Sequence, residues 1–222
     1  MLYCPLNLSL WAEVYILGEQ TKRLNPWFSI WLQPRATMRE VLAHPRSPQM
    51  MWGLAVLGGF VTAYSSARSN AIGLDGPLFT VWMIIALHTL LNAMIYMYIL
   101  PPITRFFYRF NGGIGDTEAT RQAILWGQIP WISCILFWIP DLLMHGEAVF
   151  QTGAENVHPT LLVLELIVQT WAMIVALKCL GEAHGLSFWQ SLVAQIIPFL
   201  LLLFVGFFLA MLFGFLLAAL TF

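Results

Sequence analysis

Residues 196–220 read IIPFLLLLFVGFFLAMLFGFLLAAL, twenty-five positions without a charge or a side-chain amide. A helix of about 20 apolar residues crosses a hydrocarbon core of about 30 Å. Upstream, four more segments qualify. One runs from about 159 to 178 and begins at Pro159, a favourable first-turn position. One runs from about 121 to 143, with Pro130 and Pro140 inside it. One runs from about 77 to 100 and is expected to stop at Pro101-Pro102. The first runs from about 50 to 67. The expected fold class is therefore an all-α integral membrane protein with five transmembrane helices.

Composition points the same way. The 222 residues are 59% hydrophobic and 9% charged, with a mean hydropathy of +0.77; soluble domains are about 25% charged. Ten Lys and Arg against eleven Asp and Glu leave a net charge of -1, so no basic face exists for nucleic acid. The three cysteines are scattered and make no disulfide framework or CxxC pair; Cys134 and Cys179 read as small packing residues.

The cations set the orientation. Lys22, Arg23, Arg35, Arg39 and Arg46 precede the first span, Arg105, Arg109 and Arg121 lie between the second and third, and Lys178 follows the fourth. Arg68 stands alone on the other side. Positive loops stay cytoplasmic, which predicts the N-terminus inside and the C-terminus outside. Trp52, Trp126 and Trp189 then fall near the inner interface, and Trp82 and Trp138 near the outer one.

Three regions follow: 1–24, poorly assigned; 25–49, interfacial and amphipathic; and 50–222, the five-helix domain. Met1 to Leu17 is apolar-rich, but Lys22 and Arg23 come after it rather than before, against a cleavable signal. Residues 34–45 read as a short surface helix opened by a Thr37-x-x-Glu40 capping box. Met38, Val41 and Leu42 share its apolar face, and Arg35, Arg39 and Arg46 are expected to contact lipid headgroups. Ser187-x-x-Gln190 is a second capping box. The loop Asn111-Gly112-Gly113-Ile114-Gly115-Asp116 lacks the GK[ST] ending of a phosphate loop. It reads as a turn whose carboxylates Asp116 and Glu118 suit the positive end of the following helix.

Polar side chains inside a bilayer are functional suspects. His88 and Asn92 are four apart on the second span, and Glu165 and Gln169 repeat that spacing on the fourth. Together with Gln128 and Gln195, their depths at about 1.5 Å per residue allow one connected network, with His88 and Glu165 as its titrating pair. The bland role is helix-to-helix hydrogen bonding; the functional one is a proton-linked pathway. Asp141, His145, Glu147, Glu155 and His158 crowd the third loop, but their spacing fits no tight metal site. His44 and His184 are read as solvated at the interface. Gly206, Ala210, Gly214 and Ala218 draw a small-residue stripe on the last span, matched by Ala55, Gly59 and Ala63 on the first. Packing of those two spans on each other, or oligomerisation through the last, would use them.

Several motifs together resemble a known family. They are Asn25-Pro26-Trp27, Trp31, Pro34-Arg35-Ala36-Thr37, Gly112-Gly113-Ile114-Gly115, Thr120 through Gln128-Ile129-Pro130, Gly181-Glu182-Ala183-His184-Gly185 and Ile197-Pro198. Over residues 25–222 the chain resembles the YIP-domain (Ypt/Rab-interacting protein type) membrane family, and looks most like its short bacterial members. The resemblance implies a five-span domain with a cytoplasmic N-terminus; eukaryotic members bind Rab GTPases and shape early secretory membranes. The expected role is a non-enzymatic membrane organiser or adaptor in a bacterial inner membrane. Its expected partners are lipids, a cytosolic or membrane protein, and a second copy through the last helix, without cofactor or metal. The alternative is a small-solute or ion permease using His88, Asn92, Glu165 and Gln169. No activated nucleophile beside a base and no HExxH pair points to catalysis.

Overall fold

In a computed structural model, residues 24–73, 77–151 and 159–220 are described, without the side chains of residues 159, 202 and 214–220. The expectations for residues 1–23, Glu155 and His158, and for the Gly214 and Ala218 side chains, lie outside these.

Proline and a capping side chain open most of the early helices. Asn25 accepts from the Trp27 N–H at 3.2 Å and starts α1 (Pro26–Leu32). Pro34 starts α2 (Pro34–Ala43). Ser47 caps α3 (Pro48–Ser69), with Pro48 in its first turn. The expected capping box at Thr37 does not form. Pro34 begins the helix earlier, so Thr37 lies inside it and its hydroxyl donates to the Gln33 carbonyl at 2.8 Å.

The second span corrects its expected end. α4 (Leu78–Met94) passes through a π segment (Ile95–Ile99) into α5 (Leu100–Phe110), and Leu78–Phe110 counts as one 33-residue apolar helix. Pro101 and Pro102 sit in the first turn of α5, where proline is tolerated. Neither can offer an N–H to the Met97 carbonyl, whether the turn is α or π. The Arg121 Nε–H fills that gap at 2.7 Å, as buried backbone acceptors require.

The third segment is broken. It comprises α6 (Thr117–Gly127), the short α7 (Ile129–Ile132) and α8 (Ile135–His145), extended by a 3-10 turn (Gly146–Phe150). Its halves meet at 41°. Asp116 caps it, accepting from Ala119 N–H at 2.7 Å. α9 (Pro159–His184) and α10 (Phe188–Leu220) complete the chain. Four helices are long and apolar enough to cross a membrane, and the bent segment makes a fifth if counted as one. It runs from one end of the bundle to the other: its start lies by the α9 C-terminus, where Thr120 meets His184, and its end meets the last turn of α3, where Asp141 meets Arg68.

The interior has two apolar clusters. One, at the end carrying α1 and α2, holds Ile30, Met38, Tyr108, Leu125 and Trp126; the other holds Val61, Tyr64, Ile85, Trp138 and Phe150. The outside is equally apolar, with Leu87, Leu90, Leu136, Leu166, Phe204 and Phe207 exposed. That is the pattern of a chain whose solvent is lipid. α3 and α4 approach closely because Gly59 has no side chain; a Cβ there would stand 2.6 Å from the Thr89 carbonyl oxygen.

Candidate functional site

Two polar clusters lie at opposite ends of the bundle. At the end away from α1 and α2, Arg68 in the last turn of α3 is 5% exposed. Its Nη1 donates to Glu165 Oε1 at 2.7 Å, and its Nε lies 3.9 Å from Asp141 Oδ2. The Trp138 indole N–H donates to the same Glu165 oxygen at 2.7 Å. His145 Nδ1 stands 3.0 Å from Asp141 Oδ1, and Tyr64 stacks on Trp138 at 4.8 Å. Three elements therefore meet on one guanidinium: α3, α8 and α9. Burying an ion costs several kcal/mol, offset only by close pairing, and here one cation answers two carboxylates.

The expected six-residue network is not connected in this way. Glu165 takes Arg68 rather than His88. The His88 carbonyl accepts from the Asn92 amide at 2.9 Å, a bond within α4. The Gln128 Oε1 is buried without a hydrogen-bond partner among the described residues, against Gly58. Gln169 and Gln195 are exposed on the outside of the bundle. Residue counting gives height along a helix, but the direction each side chain faces depends on helix rotation, which counting does not supply. Arg68 was missed because it was counted with the loop after the first span. Its signal was available: a lone cation at one end, with two carboxylates, Asp141 and Glu165, at similar height. Among the described residues, no three His, Cys, Asp or Glu side chains are grouped to hold a metal.

The small-residue stripes separate as well. Gly59 packs against α4. Gly206 and Ala210 are exposed, and a Cβ on Gly206 would meet nothing within 4 Å. The first span therefore uses its stripe against the second, and not against the last as expected.

At the α1–α2 end, Arg35 donates to the Leu186 carbonyl at 2.8 Å and lies 3.8 Å from Glu182. Arg39 bonds Glu182 at 2.9 Å. These two arginines clamp α2 onto the end of α9; Arg39 keeps its side chain 73% exposed. Arg46 is half-buried, with Nε unpartnered among the described residues. His184 is 1% exposed, not solvated as expected. Its Nε2 meets Thr120 Oγ1 at 3.0 Å. The same hydroxyl lies 2.6 Å from the Asp116 carbonyl, so Thr120 ties the ring to the first turn of α6. The glycine-rich loop closes over the ring; a Cβ on Gly113 or Gly115 would come 3.0 or 2.9 Å from Nδ1. Ser187 and Gln190 form the expected reciprocal cap, Ser187 N–H donating to Gln190 Oε1 at 2.9 Å.

Around this clamp Phe28, Leu32, Ile114 and Trp189 stay exposed, at 76, 85, 84 and 71%. A basic residue, Arg109, is exposed at the same end. Comparison with known families shows that the Yip1 domain model matches residues 28–220. No curated protein and no solved structure matches the chain.

Proposed function

The chain belongs to the Yip1 domain family, and on that premise we propose that this membrane protein is a non-enzymatic organiser or adaptor. Its working surface is the end that carries α1, α2 and the glycine-rich loop, facing the cytoplasm of a bacterial inner membrane. The observation that carries this is the clamp. Arg35 and Arg39 fix α2 to α9 through Glu182 and the Leu186 carbonyl, and so hold Phe28, Leu32, Ile114 and Trp189 exposed at one end. A rigid platform of exposed apolar and cationic side chains suits lipid headgroups and a docked protein. The buried polar groups support a structural role for the rest: Glu165, Asp141, Thr120 and His184 are each bonded between helices or within them.

Photo-crosslinkers at Phe28, Ile114 and Trp189, with Leu143 as the opposite-end control, test the platform in native membranes. Adducts to one defined protein or to lipid headgroups are expected at the first three positions and not at Leu143. Equal labelling at all four, in cells whose membranes are unchanged by deleting the gene, would sink the adaptor role. Reporter fusions at both termini test the orientation; both reporters on one side would refute it.

The second partner is another copy of the chain. The described side chains from residue 199 to residue 213 on α10 are all exposed, and Gly206 and Ala210 offer a backbone close approach. Disulfide cross-linking through Gly206→Cys and Gly214→Cys is expected to give symmetric dimers in native membranes, and monomer alone would exclude this contact.

A further inference from the structure

We propose that the outward face of α9 is a homodimer seam within the membrane, in which the Gln169 amide pairs with the same amide of a second copy of this chain. The starting observation is the position of that side chain. The membrane-crossing part of α9 is Thr160–His184. At 1.5 Å per residue Gln169 lies about 14 Å from its first residue, near the middle of a hydrocarbon core of about 30 Å. Its side chain is exposed there and makes no hydrogen bond among the described residues. Ionisable and polar groups at such depth ordinarily face the bundle interior or pair with one another. By contrast, Thr170 Oγ1 donates to the Leu166 carbonyl at 2.7 Å and the Asn92 amide to the His88 carbonyl at 2.9 Å, each within its own helix. The Gln169 amide is unspent.

The residues around it form a seam. Leu162, Leu166, Gln169 and Met173 recur at spacings of four, three and four, which sets them on one stripe of the helix. Its three apolar members are exposed at 38, 63 and 54%. The packed side of α9 carries Ala172, Val175 and Cys179 instead, so the stripe stands outside the bundle. An apolar heptad stripe with one amide in it is the pattern of a helix pair whose register a polar side chain sets.

The amide also names the occupant. It carries both donors and an acceptor, so it complements itself. Two copies inserted the same way through a membrane bring Gln169 to the same depth on either side of a two-fold axis. Two N–H···O=C bonds then close between the amides, and Leu162, Leu166 and Met173 meet their own counterparts. α10 has no equivalent to offer. Residues 196–220 contain no hydroxyl, amide or charged side chain, so folding that helix over the stripe would bury the amide unpaired. A lipid tail would leave it unpaired as well. This seam is separate from Gly206 and Ala210 on α10, and it needs neither the platform at the other face nor a protein docked there.

Cysteine scanning and lipid dilution in liposomes test this, on the full chain with Cys4, Cys134 and Cys179 replaced by alanine. Oxidation is expected to join copies through Leu162→Cys, Leu166→Cys and Met173→Cys several-fold more than through Val163→Cys and Ile167→Cys, which are exposed away from the stripe. Energy transfer between labelled copies, diluted in lipid, reads the dimer dissociation constant. Q169L is expected to weaken it about 3- to 30-fold, the worth of interhelical hydrogen bonds in a membrane. Q169N, which keeps the amide on a shorter stem, is expected between Q169L and the parent. The Gln169 side chain bonds nothing within the bundle, so both variants should keep the parent's helix content and unfolding midpoint. Cross-links as strong off the stripe as on it overturn the proposal, and so does a Q169L that associates as tightly as the parent. Cross-linking at Gly206→Cys alone also overturns it while leaving the α10 contact standing; cross-linking on the α9 stripe alone supports it and removes the α10 contact.

Discussion

Along the third crossing, α6 presses its backbone against α9, and a Cβ on Gly127 would stand 3.0 Å from the Ala176 Cα. On the other side of the break, α8 meets the same helix through an indole and a carboxylate. The first contact is dispersion at short range, with side chains from Gln122 to Gly127 buried. The second is polar and held at arm's length. Lipid gives no hydrophobic drive between helices, so close fit and hydrogen bonds are the two available adhesives. One segment uses them in succession, and the two halves should therefore fail differently.

The largest effect is expected at Arg68. R68M strands the buried Asp141 and the partly buried Glu165, and breaking a buried pair in this way costs about 3–5 kcal/mol. Unfolding in bicelles measures it. R68M/D141N/E165Q removes both carboxylate charges as well and should recover most of the loss; no recovery would mean that the guanidinium stem, not its charge, matters. Next comes the close contact. G127L drives a branched side chain into Ala176, and overpacking of this kind costs about 1–3 kcal/mol. G127L should lower the unfolding midpoint, and adding D141N/E165Q should not restore it, because its loss is one of fit and not of charge pairing. A G127L loss relieved by that pair would erase the distinction between the halves.

That division was half legible from residue order. Apolar length found the four long apolar helices and the bent segment, and Asp116 and the Ser187–Gln190 pair were readable as caps because capping is local in sequence. Pro101-Pro102 misled because a proline's effect depends on what satisfies the freed carbonyl. That group is Arg121, twenty-four residues beyond Met97. The Arg68 cluster was only partly readable for a related reason: its charges were visible in the sequence, but not which helices meet. Arg68 and Asp141 lie at the ends of different helices, and nothing in a linear count says that α3 and α8 face each other there. Gln169 shows the converse: it sits one turn from Glu165, yet it is exposed while Glu165 is partly buried, since four residues turn a helix by slightly more than one revolution and the neighbours end between them.

Smaller tests refine the contrast. T120V on α6 removes the hydroxyl between Asp116 and the His184 ring while keeping the shape. A net loss of about 0.5–1.5 kcal/mol is expected for that bond, with faster hydrogen exchange at Ile114, whose N–H donates to the His184 carbonyl at 3.1 Å. Unchanged exchange would mean that the glycine loop is held by its own turn.

The smallest effect is expected at the far tip of the other half. Leu143 on α8 is 81% exposed, and truncating an outward side chain there exchanges lipid contact for lipid contact. L143A should therefore shift stability by less than about 0.5 kcal/mol, whereas a leucine inside the close-packed half, L125A at 0% exposure, should cost about 2–5 kcal/mol. The pair of measurements is sharper than either alone. If L143A proved as costly as L125A, α8 would be covered by another protein surface rather than by lipid.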